Sequence, residues 1–202
     1  MKIANRRIIL ASASATRAQM LRNAGLEVEV VPSHIDEETI RKSLSAESAS
    51  PHSVADALAE AKARKISEKH PEALVIGSDQ ILELDGQIFA KPETPEVARA
   101  QLNAMRGRTH RLLSSAVICQ NGKPLWRHIG QVRLTMRDFS SEFMESYLKR
   151  NWPEIRLTVG CYKLEAEGVR LFSRIEGDYF NVLGLPLIEV LTWLGIRGDI
   201  AS

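Results

Sequence analysis

Asp79 and Lys91 are side chains whose types could do chemistry together if the chain folds back between them. Asp79 follows an apolar run at residues 74–76 that reads as a buried strand. Gly77-Ser78 is read as the break that sets the acid at the strand's end. Residues 81–84 and 87–89 flank Asp85-Gly86, a hairpin turn signal, and a hairpin there returns Lys91 towards Asp79. An acid beside a lysine suits phosphate chemistry. The carboxylate orients or deprotonates water, and the ammonium neutralises phosphate charge. A surface aspartate in a turn and a solvated lysine before Pro92 account for the stretch as well, and taken alone it favours that plainer reading.

Other segments carry candidates of the same kind. Leu10-Ala-Ser12-Ala-Ser14-Ala-Thr16-Arg17 reads as a strand, a small-residue turn and a helix start. Helix N-termini present unpaired amides to anions, serine hydroxyls add donors, and Arg17 can grip phosphate oxygens bidentately. The segment is not a P-loop, because the glycine-rich loop and its Lys-Ser/Thr are missing. Helix capping with a solvated arginine also explains it, and taken alone the segment favours that plainer reading. Asp36-Glu37-Glu38, placed in a loop, can hold a hard cation such as magnesium or simply form a solvated acidic turn. Lys62 lies on an alanine-rich amphipathic helix, where an exposed lysine is the default. Glu165, in Gly160-Cys-Tyr-Lys-Leu-Glu165, can accept hydrogen bonds from a base, or sit in a turn between strands. Ile175 to Pro186 leads into the last helix and is expected to shape a pocket floor. The five histidines show no metal-ligand spacing, which argues against zinc.

The elements that must position these residues follow from periodicity and punctuation. Strands are expected at 7–10, 28–31, 110–119 and 125–136, with Asn121-Gly122 as a hairpin turn. Shorter extended segments are expected at 157–162 and 169–175. Helices are expected at 15–24 behind Ser14, at 53–69, from Thr94-Pro95 to 105, at 140–149, and at 186–194 before Gly195. The serine-rich stretch 43–53 reads as a loop, with room for one helical turn at 38–44. Intermixed strands and helices with a long hairpin indicate an α/β or α+β protein with a mixed sheet.

Bulk properties bound the function. The 202 residues suit one domain or two small lobes with a sizeable core. A net charge of +2 gives no global argument for nucleic acid or membrane. Two cysteines in apolar contexts suggest a reducing compartment. Lys2, Arg6 and Arg7 precede only Ile8-Ile9-Leu10, too short for a signal segment, so a cytoplasmic location is expected.

Taken in order, these segments resemble the Maf family of nucleoside triphosphate pyrophosphatases. Ser12-Ala-Ser14-Ala-Thr16-Arg17 is similar to the family's opening Ser-x-Ser-Pro-Arg-Arg, with Ala15, Thr16 and Ala18 as departures. Asp36-Glu37 matches its Asp-Glu loop, Lys62 its helix lysine, Asp79 its strand-end acid and Lys91-Pro92 its Lys-Pro. Asn181-Val-Leu-Gly-Leu-Pro186 matches its closing motif. The resemblance spans nearly the whole chain. It implies one Maf-like domain over residues 1–202. It also implies a Maf/ITPase-like α/β (α+β) fold, whose mixed, twisted, partly antiparallel sheet is flanked by helices with two lobes around a deep cleft. It implies a hydrolase in which water attacks the α-phosphorus of a nucleoside triphosphate and releases pyrophosphate. Asp79 would accept the proton or orient the water. Lys62, Lys91 and Arg17 would balance the triphosphate, and Ser12 and Ser14 would help bind it. Glu37 would help hold a divalent metal, Mg2+ or Mn2+. Gln80, Lys163 and Glu165 resemble the branch that acts on 7-methyl-GTP, which makes Thr16, Gln80 and Glu165 the specificity positions. The substrate is the implied partner, with no nucleic acid or membrane, and a homodimer is expected. The alternative is a nucleotide-binding regulator of cell division or septum formation with little turnover.

Overall fold

A computed structural model of the chain describes residues 6–201, so Lys2 lies outside the described residues. The apolar triplet near the start forms β1 (Ile8–Leu10), which pairs in parallel with β2 (Val28–Val30) and β3 (Leu74–Leu84). Strand β3 then pairs antiparallel with short β4 (Gln87–Phe89) and with long β5 (Thr109–Gln120). Strand β6 (Lys123–Met136) returns along β5, and β7 (Phe172–Glu176) closes the far edge. The result is a seven-stranded mixed sheet in the order β2-β1-β3-β5-β6-β7, with β4 beside β3. Both expected hairpins form. Asp85 and Gly86, and likewise Asn121 and Gly122, adopt positive φ, as a tight turn matched to strand twist requires.

Helices start where a short polar side chain can cap them. Ser14 caps α1 (Ala15–Asn23), Asp36 caps α2 (Glu37–Ala46), and Ser50 caps α3 (Pro51–Ser67). Thr94 caps α4 (Pro95–Met105) and Ser140 caps α5 (Ser141–Ile155). Asp178 caps the one-turn α6 (Tyr179–Val182), and α7 (Leu187–Arg197) follows Pro186.

The alternation of β3 and β5 divides the core. On one face Val75, Ile81, Leu113 and Val117 pack with Ile66, Val54, Leu58 and Ala63 of α3. On the other face Ile76, Ala116 and Ile118 pack with α1 and α7, while Leu82, Leu84 and Leu112 pack with α4 and α5. The α1/α7 and α4/α5 clusters are the two lobes, and the central strands run through both.

Five expectations need correction. Gly77 and Ser78 do not end the strand, because β3 continues unbroken through Asp79 to Leu84. The acidic segment and the serines after it are not a loop. Residues 37–46 form the ten-residue α2, which Ile40 and Leu44 hold against the core beside Val54; only 47–50 stay outside a helix, and Ser53 belongs to α3. Residues 157–162 are not extended, since Val159–Cys161 is a 3-10 turn with Gly160 and Cys161 at positive φ. Likewise Glu167–Leu171 is a 3-10 turn before β7 begins. The last helix passes through Gly195 and stops at left-handed Gly198, where the αL conformation costs least.

Candidate active site

Gly77 explains how an acid inside a strand meets a lysine on a helix. Residues 77 and 79 share the α3 face of β3, two apart along a pleated strand. A methyl group at 77 would stand 2.2 Å from the Ala59 carbonyl oxygen and 2.6 Å from the Ala63 amide nitrogen. Only glycine lets α3 lie this close, and α3 thereby carries buried Lys62 onto buried Asp79. The Lys62 ammonium donates to Asp79 Oδ1 at 2.7 Å and pairs with Glu37 Oε1 at 2.7 Å. Arg41, one helical turn after Glu37, lies 3.3 Å from Asp79 Oδ2 and 3.8 Å from Glu37 Oε2. Two carboxylates and two cations thus form a closed ring at the base of a cleft of about 1230 Å3.

The electrostatics follow from that ring. Burial pushes the half-buried Glu37 carboxyl up, but the hydrogen bond and charge of Lys62, with Arg41 and Lys91, outweigh it and hold Glu37 below the usual carboxylate range. The β3–β4 hairpin does return Lys91 to the cleft, as expected. Lys91 stays open to solvent at the mouth, yet the surrounding protein and the Arg17 charge depress its pKa below that of a free lysine. With the ring neutral, Arg17 and Lys91 are cations of the cleft outside the ring, placed to meet a polyanion.

The opposite face of β3 holds the pocket wall. Ser78 Oγ donates to the Gly184 carbonyl at 3.0 Å. Gln80 Nε2 donates to the carbonyls of Asn181 at 2.9 Å and Val182 at 3.0 Å, and to Ser114 Oγ at 3.1 Å. Ser114 Oγ donates in turn to the Asn181 carbonyl at 2.6 Å. The closing motif around α6 is therefore pinned to β3 and β5 by side chains. Gln80 spends its amide N–H groups on that support, so its expected role in base choice is limited to its carbonyl end. Asn181 fits because Gly130 offers no Cβ, which would stand 1.9 Å from Asn181 Oδ1.

The first turn is tied down in the same way. Ser12 Oγ accepts from the Ser14 amide and from Arg17 Nη1, and Ser14 Oγ accepts from the Arg17 amide. Arg17 Nε donates to the Gly184 carbonyl at 2.7 Å and Nη1 to the Ser78 carbonyl at 3.0 Å. Burial lowers the Arg17 pKa against the raising effect of Asp79 and Glu37. The bidentate phosphate grip expected of Arg17 is thus not available as such. Its guanidinium braces α1, β3 and the closing motif, and only Nη2 is left for a ligand. Thr16 lines the cleft beside these residues, and exposed Glu165 lines its outer part near Lys163, which pairs with Glu154 at 2.7 Å. Asp36 accepts from the Thr39 amide as the α2 cap and does not line the cleft.

Arg41 and Ser78 were missed by the sequence reasoning. Arg41 follows Glu37 at i+4, the spacing at which helical side chains meet, but that signal exists only once the segment is read as a helix. Among the described residues no three histidine, cysteine, aspartate or glutamate side chains gather as a ready-made metal site. No helix among them is long and apolar enough to cross a membrane.

Residues 7–196 match the family described as Maf-like protein. A Ruegeria pomeroyi protein named nucleoside triphosphate pyrophosphatase is 56% identical over 193 residues, covering 96% of this chain and 97% of its own. A Caulobacter vibrioides protein of the same name is 44% identical, covering 95% and 96%. A Mesorhizobium japonicum protein named 7-methyl-GTP pyrophosphatase is 47% identical, covering 96% and 98%. With its sheet order, its cleft and its motifs in place, the chain belongs to the Maf family.

Proposed function

We propose that this protein hydrolyses a nucleoside triphosphate, modified or non-canonical, to the monophosphate and pyrophosphate, with 7-methyl-GTP as one candidate. The observation that carries the reading is Asp79, buried in mid-strand and held by Lys62 at the base of a cleft that Arg17 and Lys91 also line. The names of the relatives support the same reaction. Asp79 orients the attacking water and takes its proton, while Lys62 fixes the rotamer of Asp79. Lys91 and Arg17 Nη2 meet the phosphate oxygens, and the loop at Ser12 and Ser14 shapes their seat.

Glu37 and Asp79 offer hard carboxylate oxygens on either side of one ammonium, a donor set that fits Mg2+ or Mn2+ with the remaining ligands from water and triphosphate. Such an ion would supply charge neutralisation at the phosphates. At the outer cleft, Glu165 accepts from the N–H edge of a guanine, and a cationic methylated ring strengthens that pairing.

Purified protein with Mg2+ or Mn2+ is expected to release pyrophosphate from at least one triphosphate in a panel of canonical, methylated and deaminated nucleotides. Asp79→Asn is expected to abolish release while leaving the far-ultraviolet circular dichroism unchanged. Absence of pyrophosphate from wild-type protein across the whole panel overturns the proposal. Binding without turnover would instead favour a regulator.

A further inference from the structure

The acid ring raises a question of occupancy, because both oxygens of Asp79 and both of Glu37 already face a cation. Lys62 takes Oδ1 and Oε1, each at 2.7 Å, and its side chain is 9% exposed. Arg41 takes Oδ2 and Oε2 at 3.3 and 3.8 Å, and its side chain is 29% exposed. The two cations are therefore unequal. Lys62 makes two short contacts from α3, whose residues 55, 58, 59 and 63 are completely buried. Arg41 makes two long contacts from α2, a helix with no buried residue. A long contact from a lightly packed, partly solvated element is weak and easily given up.

We propose that Arg41 is a releasable counter-ion. In the free protein its guanidinium holds the oxygens of Asp79 and Glu37 that a divalent cation would take. When the ion enters, Arg41 passes from the carboxylates to the phosphate oxygens of the nucleotide. At the two carboxylates the exchange replaces one positive charge by two, so the neutral ring becomes +1, and the negative triphosphate faces both that excess and the freed Arg41. Without the ion, Arg41 and Lys62 neutralise the two acids. With the ion in place, Arg41 is freed beside a triphosphate whose paired phosphoryl oxygens match its fork of donors. The reach is short, because Arg41, Asp79, Arg17 and Lys91 all line the same cleft. This inference rests on the pyrophosphatase reading for its second half and on the ring geometry alone for its first.

The test uses the full chain and Mn2+ alone, titrated by calorimetry and by the paramagnetic resonance of free Mn2+. Arg41→Gln removes the competing charge, and Mn2+ affinity is expected to rise about fivefold or more, given the Coulomb energy of charges this close near a surface. Arg41→Lys keeps the charge and is expected to stay within about twofold of wild type, as partial solvation of the pair allows. Circular dichroism checks that α2 persists in both variants. With Mn2+ saturating, inorganic tripolyphosphate is expected to bind Arg41→Gln more weakly than wild type. Unchanged or weaker Mn2+ binding by Arg41→Gln overturns the proposal, as does equal tightening by both variants or unaltered tripolyphosphate binding. Wild-type turnover together with any of these results refutes the counter-ion and leaves the pyrophosphatase reading standing. A wild type that hydrolyses nothing, with Mn2+ affinity shifted as expected, refutes the reading and leaves the ion exchange.

Discussion

Replacing Gly77 with alanine tests whether backbone contact between strand and helix sets the catalytic distance. The added methyl would meet the Ala59 carbonyl oxygen at 2.2 Å and the Ala63 amide nitrogen at 2.6 Å. Both are main-chain atoms of α3, so no side chain can swing aside. To restore even 3.0 Å, α3 must retreat about 0.8 Å from β3. Overpacking of this kind costs about 1–3 kcal/mol, and rigid neighbours place this site at the upper end. In a chain of this length each kcal/mol lowers Tm by about 2–4 °C. The same retreat carries Lys62 away from Asp79 and stretches a 2.7 Å contact to the limit of a hydrogen bond. Misplacement of about 1 Å at a reacting centre costs up to about 100-fold in rate. The assay pairs thermal unfolding with kcat/KM from pyrophosphate release. A Gly77→Ala protein that melts and turns over like wild type refutes the spacing argument. One that is destabilised but keeps its kcat/KM refutes the link from helix contact to catalysis.

Two further outcomes follow from the site. Gln80→Glu removes the N–H groups that hold the Asn181 and Val182 carbonyls, so it is expected to cost about 1–3 kcal/mol in denaturant unfolding and to lower activity on every nucleotide; a clean exchange of base preference at full stability would refute the supporting role. Lys91, its pKa held below the usual 10.5 by the protein around it and by Arg17, carries its charge below that depressed pKa and loses it as pH rises. The alkaline limb of kcat/KM is therefore expected earlier than for an ordinary lysine, and Lys91→Arg should move it upward; an unmoved limb refutes the assignment.

Much of the architecture is legible in the sequence because its signals are local. Ser14 and Thr94 cap their helices through their own side chains, and Asp85-Gly86 and Asn121-Gly122 turn because of their backbone preferences. What escapes a linear reading depends on contacts between elements. Gly77 looks like a strand breaker, but its role is to admit a helix that arrives from elsewhere in the fold. Helix α2 offers only Ile40 and Leu44 as an apolar stripe, too little to announce a helix among serines. Gly195 looks like a helix stop, but α7 runs on to Arg197, whose guanidinium lies 4.6 Å from the Trp193 ring one turn back. At the site, Asp79, Lys62, Glu37 and Lys91 are brought together as residue type and order suggest. Arg17 and Gln80 differ for a common reason. A polar side chain near a ligand pocket can equally well hold the pocket's wall, and only the position of carbonyls from residues 181–184 decides it.

The alternation of β3 also bears on how such a chain can change over generations. Ser78 and Gln80 serve the wall while Gly77 and Asp79 serve the helix, so deleting or inserting one residue between them would exchange the two sets. The acid would then face the Asn181 and Gly184 carbonyls, and the serine would face Lys62. Neither half could be repaired by a second substitution nearby. Length variation is therefore expected to be purged from this stretch and to be better tolerated at the β3–β4 tip, where Asp85 and Gly86 are exposed and a Cβ at Gly86 would meet nothing within 4 Å.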